Sequence, residues 1–390
     1  PQILFEYGMS YFKAEVKPEE SIPFLRKALE LSKDTISENL LILAKAYHQN
    51  DQFLNAKAFN QHFLRHYVAN NKSGKSYRNE VAHWIEMCEN GDRFNIRKTD
   101  TEVKNLSEKV NTEEKEYAPV IDPEGNIIYF TSRRKEGVGN KIHLDNLYYE
   151  DVYFATKDEN GEWSEAKNIN KNKEIEYDGI NGKRHDATVN ISADGKTLFL
   201  YKNNEIWRSE KNEKGEWEQP IRMNNNINFG MFTPSVFLTA DEEELYIVTV
   251  SEEKGFGGRD IYVSTKNGDD EWSTPRNLGK TINTRYDEDA PFITDDGQTM
   301  YFSSKGHTSM GGYDIFKSER QEDGSWGHPE NMGIPINSGG HDIFFVEYKK
   351  DNKAYYASNR TGSEGYTDLY VAKFECENIP STTVRGLALV

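Results

Sequence analysis

Asp151-Val152-Tyr153, Glu205-Ile206-Trp207, Asp260-Ile261-Tyr262, Asp314-Ile315-Phe316 and Asp368-Leu369-Tyr370 are variants of one triplet, and their starts fall 54, 55, 54 and 54 residues apart. Twelve residues after each of the first four stands a tryptophan: Trp163, Trp217, Trp272 and Trp326. Self-similarity at a fixed period near 50, carried by short aromatic strands, predicts the blades of a β-propeller.

Each repeat resolves into four strands. A short strand A, such as Pro291-Phe292-Ile293-Thr294, leads through an acidic turn such as Asp296-Gly297 into an aromatic strand B, such as Met300-Tyr301-Phe302-Ser303. Strand C carries the triplet. Asn160-Gly161, Asn267-Gly268 and Asp323-Gly324 then supply the residues a tight hairpin needs, because positive φ is cheap there. The tryptophan is expected within strand D. The fifth copy has no tryptophan and no Asn-Leu-Gly string after Tyr370, yet Lys104-Asn105-Leu106 with Val110-Asn111 stands orphaned ahead of the first copy. Residues near 94–106 should therefore supply the missing strand and close a five-bladed ring, leaving few open sheet edges.

Residues 1–91 have a different texture. Apolar residues recur at helical spacing, and helices are expected near 2–14, 18–32, 37–49, 52–67 and 77–90, with Ser37 and Asp51 as N-caps. Gly8, Tyr11, Ala28, Ala44, Tyr47, Ala56 and Ala58 sit roughly where tetratricopeptide repeats place small and aromatic packing residues. An unrelated stack of helical hairpins is the other reading. The fold class is thus multidomain, α plus all-β.

A net charge of −17 argues against nucleic acid, whose phosphates need basic faces, and against attachment to anionic lipid by charge. No apolar run approaches the ~20 residues that span a bilayer. The chain starts at Pro1, and Thr383–Val390 reads as the start of a strand, so the sequence is expected to be a piece of something longer. Two cysteines are too few for a disulfide scaffold or a zinc site. Ring closure should bring Cys88, ahead of the incoming strand, near Cys376, just past the last strand C. A disulfide there and two buried free thiols are both open.

No set of catalytic, cofactor-binding or metal-ligating residues is read. His62 and His66 share a helix face, but the glutamate of the H-E-x-x-H zinc motif is missing. Ser192-Ala193-Asp194-Gly195 is good turn chemistry. The aspartate that opens strand C recurs in nearly every blade, which suits scaffolding better than catalysis. Asymmetry is more informative. Tyr129 to Asp151 spans 22 residues, whereas Tyr301 to Asp314 spans 13 and Phe199 to Glu205 six. The stretch Lys171–His185 is also long. B–C and D–A loops share one face of a propeller. The inserted Asn140–Tyr149, with His143, Tyr148 and Tyr149, is therefore the candidate partner-binding site, the other reading being a loop folded onto its own blade.

Asp289-Ala290-Pro291-Phe292, Gly311-Gly312-Tyr313-Asp314-Ile315-Phe316, Trp326 and Pro329-Glu330-Asn331-Met332-Gly333 resemble the WD40-like propeller repeats of the TolB family, in their Bacteroidetes variety. Repeat two departs most, lacking the Gly-Gly loop and the opening proline. Helices ahead of such a propeller are similar to the outer-membrane-associated OmpA-family proteins of Bacteroidetes, including those of the type IX secretion system. The resemblance implies a helical domain over 1–91, a propeller over 92–376, and over 377–390 a linker and the start of a carboxypeptidase-regulatory-like sandwich. It further implies a non-enzymatic, periplasmic scaffold at the outer membrane. Its partners would be envelope or secretion proteins, and peptidoglycan through a C-terminal domain not in this chain. A carbohydrate-binding or carbohydrate-processing propeller and a TolB-like envelope-integrity protein are the alternatives.

Overall fold

The computed structural model describes residues 1–14, 18–32, 38–68, 77–138, 141–170, 179–253, 255–268 and 271–374. Five α-helices stand among them: α1 (Gln2–Ala14), α2 (Ser21–Ser32), α3 (Glu38–Gln49), α4 (Phe53–Phe63) and α5 (Arg78–Ile96). None is long and apolar enough to cross a membrane. In α2 the buried side chains Ile22, Leu25, Ala28 and Leu29 follow the three-and-four spacing of one helix face. They join Leu40, Leu43 and Tyr47 of α3 and Phe53, Ala56 and Phe63 of α4 in one core.

The helices are followed by β1 (Glu102–Asn105) and five blades. The first comprises β2 (Glu116–Ile121), β3 (Ile127–Ser132), β4 (Asp151–Thr156) and β5 (Lys167–Asn168), and the second β6 (Asp186–Ile191), β7 (Thr197–Lys202), β8 (Glu205–Glu210) and β9 (Ile221–Arg222). The third has β10 (Ser235–Leu238), β11 (Glu244–Val250), β12 (Arg259–Gly268), β13 (Glu271–Trp272) and β14 (Arg276–Asn277). The fourth has β15 (Glu288–Ile293), β16 (Thr299–Ser304), β17 (Asp314–Glu319) and β18 (Glu330–Asn331). The fifth has β19 (Asp342–Tyr348), β20 (Lys353–Ser358) and β21 (Asp368–Lys373), completed by β1. β1 runs antiparallel to β21, with Glu102 opposite Lys373 and Asn105 opposite Tyr370. Cores form between neighbouring blades. Tyr301 and Ile315 of the fourth, for example, pack against Phe345, Tyr356 and Tyr370 of the fifth.

The expected content of strand D needs correction. In blades one, two and four the tryptophan makes only an isolated bridge, to Lys157, Lys211 and Arg320, and the fourth strand lies further on. The indole faces a cation instead: Lys157 Nζ lies 4.8 Å from the Trp163 ring and Lys211 Nζ 4.7 Å from Trp217. Asp51 is not an N-cap either. Gln52 holds that position in α4, and Ser37 lies outside the described residues.

Asp51 joins the two parts of the molecule. Its carboxylate accepts the Gly339 N–H at 2.6 Å, in the loop between blades four and five. A Cβ on Gly339 would collide with the His48 carbonyl, so only glycine allows this approach. Nearby, Asn90 Nδ2 donates to the Ser309 carbonyl at 2.9 Å, and Met310 is buried in the helical core. His48 is fully buried. Its Nε2 lies 2.7 Å from the Met310 carbonyl and its Nδ1 3.2 Å from Cys88 Sγ. The carbonyl can only accept, so Nε2 carries the proton and Nδ1 receives the Cys88 thiol proton. Burial pushes the Cys88 thiol up to about 12. Cys376 lies outside the described residues.

Two outcomes follow for stability. Asn111 in the loop after β1 receives the Leu369 N–H at 2.8 Å and donates to its carbonyl at 3.0 Å, and both residues are buried. Asn111→Ala should cost about 1–3 kcal/mol by orphaning the buried Leu369 N–H, whose carbonyl still accepts the Leu106 N–H at 2.9 Å. Thermal melting should show a clear drop against an Asn160→Ala control in an exposed turn; equal melting would discard the closure as a determinant. Burial lowers His48 from 6.5 to about 4. The unfolded chain then binds a proton that the folded one refuses. Stability is complete above pH 6.5 and is lost toward pH 4, at about 1.4 kcal/mol per pH unit for this group. The difference in unfolding free energy between wild type and His48→Gln should carry that slope; a flat difference would refute it.

Candidate functional site

The inserted B–C loop of blade one is a small hairpin. Ile142 and Tyr148 form an antiparallel bridge, the His143 N–H donates to the Leu147 carbonyl at 2.7 Å, and Asn146 takes φ 66 at the tip. Beneath it lies Arg133, which directly follows β3 and is itself buried. Its Nε donates to the Tyr148 carbonyl at 2.6 Å, and its two terminal nitrogens meet both oxygens of Asp145 at 2.7 and 3.0 Å. A two-pronged guanidinium–carboxylate pair fixes geometry as well as distance. Burial pushes the Asp145 carboxyl up, but Arg133 and the Leu147 N–H hold it down at about 2.

The three candidate residues separate. Tyr148 serves through its backbone. Tyr149 and His143 turn inward onto His185, with ring centroids 4.7 and 4.8 Å away, and lie 5.4 Å from each other. His185 Nδ1 is 2.7 Å from Glu150, whose other oxygen takes the Tyr117 hydroxyl. The imidazole meets the carboxylate at ion-pair distance but without hydrogen-bond alignment. Burial raises Glu150, yet His185 and Tyr117 outweigh it and keep its carboxyl below the ordinary range. The side chains that do face outward are others: Leu144 is 95% exposed and Ile142 58%. Met231 (62%) and Phe256 (42%) stand in the loops around β10 and β11, on the same side of the ring. That face is shared with the helices, which cover the blade-four and blade-five loops through Asp51, His48 and Asn90. Residues 171–178 of the long stretch before blade two lie outside the described residues.

The repeated aspartates are held by loop backbone. Asp314 accepts the Met310 N–H at 2.7 Å and the Asn331 amide at 2.7 Å; Asp260 accepts the Phe256 N–H at 2.6 Å and the Asn277 amide at 3.1 Å. Buried carboxylates at the start of inner strands do similar work. Glu288 takes Thr284 N–H at 2.7 Å and Ser304 Oγ at 2.6 Å, while burial pushes it up to about 7. His62 and His66 rings lie 4.5 Å apart, and among the described residues no group of three or more His, Cys, Asp or Glu is placed to hold a metal ion.

On the opposite face the inner strands surround a funnel of about 460 Å³. Its walls are apolar, with Pro119, Val189, Phe237, Phe292 and Phe344, and carboxylates stand only toward its turns: Asp122, Asp295 and Glu347. Asp122 is engaged by the Ile127 N–H at 2.6 Å, and Glu347 lies 3.4 Å from the Tyr301 hydroxyl, pushed up by burial. A groove of about 510 Å³ lies between α2, α3 and α4, lined by Leu29, Leu40, Leu43 and Phe59 with Arg26 and His62.

No known family matches the chain, and no curated protein matches it. Solved structures do. TolB from Acinetobacter baumannii is 14% identical, covering 67% of this chain and 55% of its own, with a TM-score of 0.38. A GH43 beta-xylosidase/alpha-arabinofuranosidase from a compost microbial metagenome is 12% identical over 69% of this chain and 92% of its own, with a TM-score of 0.43. The PQQ domain of pyranose dehydrogenase from Coprinopsis cinerea is 8% identical over 71% of this chain and 96% of its own, with a TM-score of 0.38. These proteins differ in chemistry, and the likeness assigns none of it to this chain.

Removing the Arg133 clamp tests the hairpin's rigidity. Arg133→Ala should speed backbone hydrogen exchange at His143, Leu147 and Tyr149 while the amides of β3 and β4 keep their protection. Unchanged exchange in 141–149 would show that the loop is held by other contacts.

Proposed function

We propose that this chain is a non-enzymatic scaffold of the bacterial envelope that docks a protein partner on the blade-one face of its propeller. One observation carries the reading: a hairpin braced from below by a buried arginine holds Leu144 and Ile142 out in solvent. Exposed apolar side chains on a pre-ordered loop are favourable anchors, since little ordering entropy is lost on binding. The helices locked onto blades four and five leave this part of the face open to a partner. The proposal extends to a periplasmic location at the outer membrane, to the type IX secretion machinery in which PorE stands, and to peptidoglycan anchoring by a further domain. What supports those finer points is the resemblance in the repeat motifs and the order of helices before propeller. His143, Tyr148 and Tyr149 enter as the base of the docking hairpin, and Leu144 and Ile142 as its contact.

A second reading has its own observation. The funnel has the volume of a small-molecule site and aromatic walls, as a carbohydrate-binding propeller would. Its ligand would sit on the other face, indifferent to the hairpin.

The experiment is affinity capture of the intact protein from its own cells, comparing wild type with Leu144→Asp and with Tyr148→Ala/Tyr149→Ala. Leu144→Asp should keep the wild-type melting temperature and weaken capture about thirtyfold, the loss of a hot-spot side chain. The double tyrosine variant should lower both, because Tyr149 packs on His185. Full capture by Leu144→Asp would move the partner off this face.

A further inference from the structure

The sequence carries 48 Lys and Arg against 65 Asp and Glu, so an average patch of its surface is acidic. The blade-one hairpin is an exception. The exposed charged side chains on its legs and on the neighbouring turn, among the described residues, are Lys135, Glu136, Lys141, Asp145, Lys183 and Arg184. Four are cations. Of the two anions, Asp145 is already engaged by Arg133 beneath the hairpin. Arg184 adjoins His185, whose ring touches His143 and Tyr149, so the turn and the hairpin form one surface. Leu144 and Ile142 stand out from this cationic surround.

We propose that the hairpin receives an acidic segment of a protein partner, whose carboxylates meet Lys141, Arg184 and Lys135 around an apolar contact with Leu144 and Ile142. This rests on the reading of the blade-one face as an interface and names the chemistry of what binds there. Complementary charge at the rim of an apolar contact steers encounter and selects among partners. A local positive field on a negative protein does so with particular selectivity, because the remainder of the surface repels an acidic segment. A lipid surface fits less well. Two apolar side chains bury too little to anchor, and a chain of charge −17 is repelled as a whole by anionic lipid.

The test uses the full chain and three probes: a fluorescein-labelled peptide alternating Glu with Leu, its Lys–Leu counterpart, and phosphatidylglycerol vesicles. Fluorescence anisotropy should show binding of the Glu–Leu peptide, weakened by salt and not matched by the Lys–Leu peptide. The double variant Lys141→Glu/Arg184→Glu should bind it about tenfold more weakly. Both positions are exposed, and an unchanged melting temperature verifies the fold. Equal binding by the double variant, preference for the Lys–Leu peptide, or vesicle binding that depends on these two residues would each overturn the proposal. If the acidic peptide is indifferent to the double variant while Leu144→Asp still abolishes partner capture, the interface stands and its acidic occupant falls. If Leu144→Asp has no effect either, both fall.

Discussion

Five asparagine side chains hold the propeller together in the same way. Asn111, Asn181, Asn228, Asn283 and Asn337 each receive the N–H and satisfy the C=O of one residue in strand C, at 2.7–3.0 Å. The residues served are Leu369, Val152, Ile206, Ile261 and Ile315, the middle members of the repeated triplet, and none is exposed. A carboxamide presents a donor and an acceptor side by side, so it can imitate a neighbouring strand past the end of the fourth strand, which is two residues long in four blades and four in the fifth. Without it a buried N–H would lack a partner in every blade, while the C=O would keep only the backbone N–H that follows the fourth strand, as Leu106 donates to Leu369 at 2.9 Å. The loop that carries the asparagine leads directly into the next inner strand. The same clasp thus ties strand C of one blade to the segment that enters the next.

The domain contact is built from other means and is more exacting. His48, Asp51 and Asn90 all address backbone groups of the blade-four and blade-five loops. Side chain to backbone bonding of this kind reads loop shape, so the match depends on the path of the main chain around Ser309, Met310 and Gly339. The burial that lowers His48 opposes the burial that raises Glu288. Acid weakens the docking of the helices, while the carboxyl inside the ring gains from acid and loses stability as pH rises through about 7.

The ring was legible because its signals are local and repeated. Turn glycines, the triplet spacing and the orphan Asn105 string each depend on neighbours in sequence, and repetition averages out exceptions. All five clasping asparagines follow a valine or isoleucine, as in Val110-Asn111 and Ile180-Asn181, although the second blade diverges elsewhere. Misreadings arose where a distant group decided the outcome. Asp51 resembles an N-cap until Gly339 arrives from 288 residues away. Trp163, Trp217 and Trp326 look like strand residues, but each presents its ring face to the cation it bridges across the hairpin, Lys157, Lys211 or Arg320. At the hairpin, tyrosines are the usual interface residues, but Arg133 holds the Tyr148 carbonyl, the Tyr149 ring packs on His185, and the exposed apolar side chain is a leucine that composition alone gives no reason to notice.

The pairing of β1 with β21 also bears on how the chain reaches this shape. Its partners are the first and last strands of the ring, Glu102–Asn105 and Asp368–Lys373, so the final seam joins segments separated by the whole propeller. During synthesis the helices emerge first, yet Met310 and Gly339, which complete their buried face, come much later. Until then His48 has no carbonyl to meet and β1 has no sheet to join. Local blade hairpins can form in sequence order, but closure waits for β21. Contacts of such long range slow folding and lengthen the exposure of unpaired strand edges. Until β21 arrives, the open edges of the ring are the part of this chain most exposed to wrong pairing.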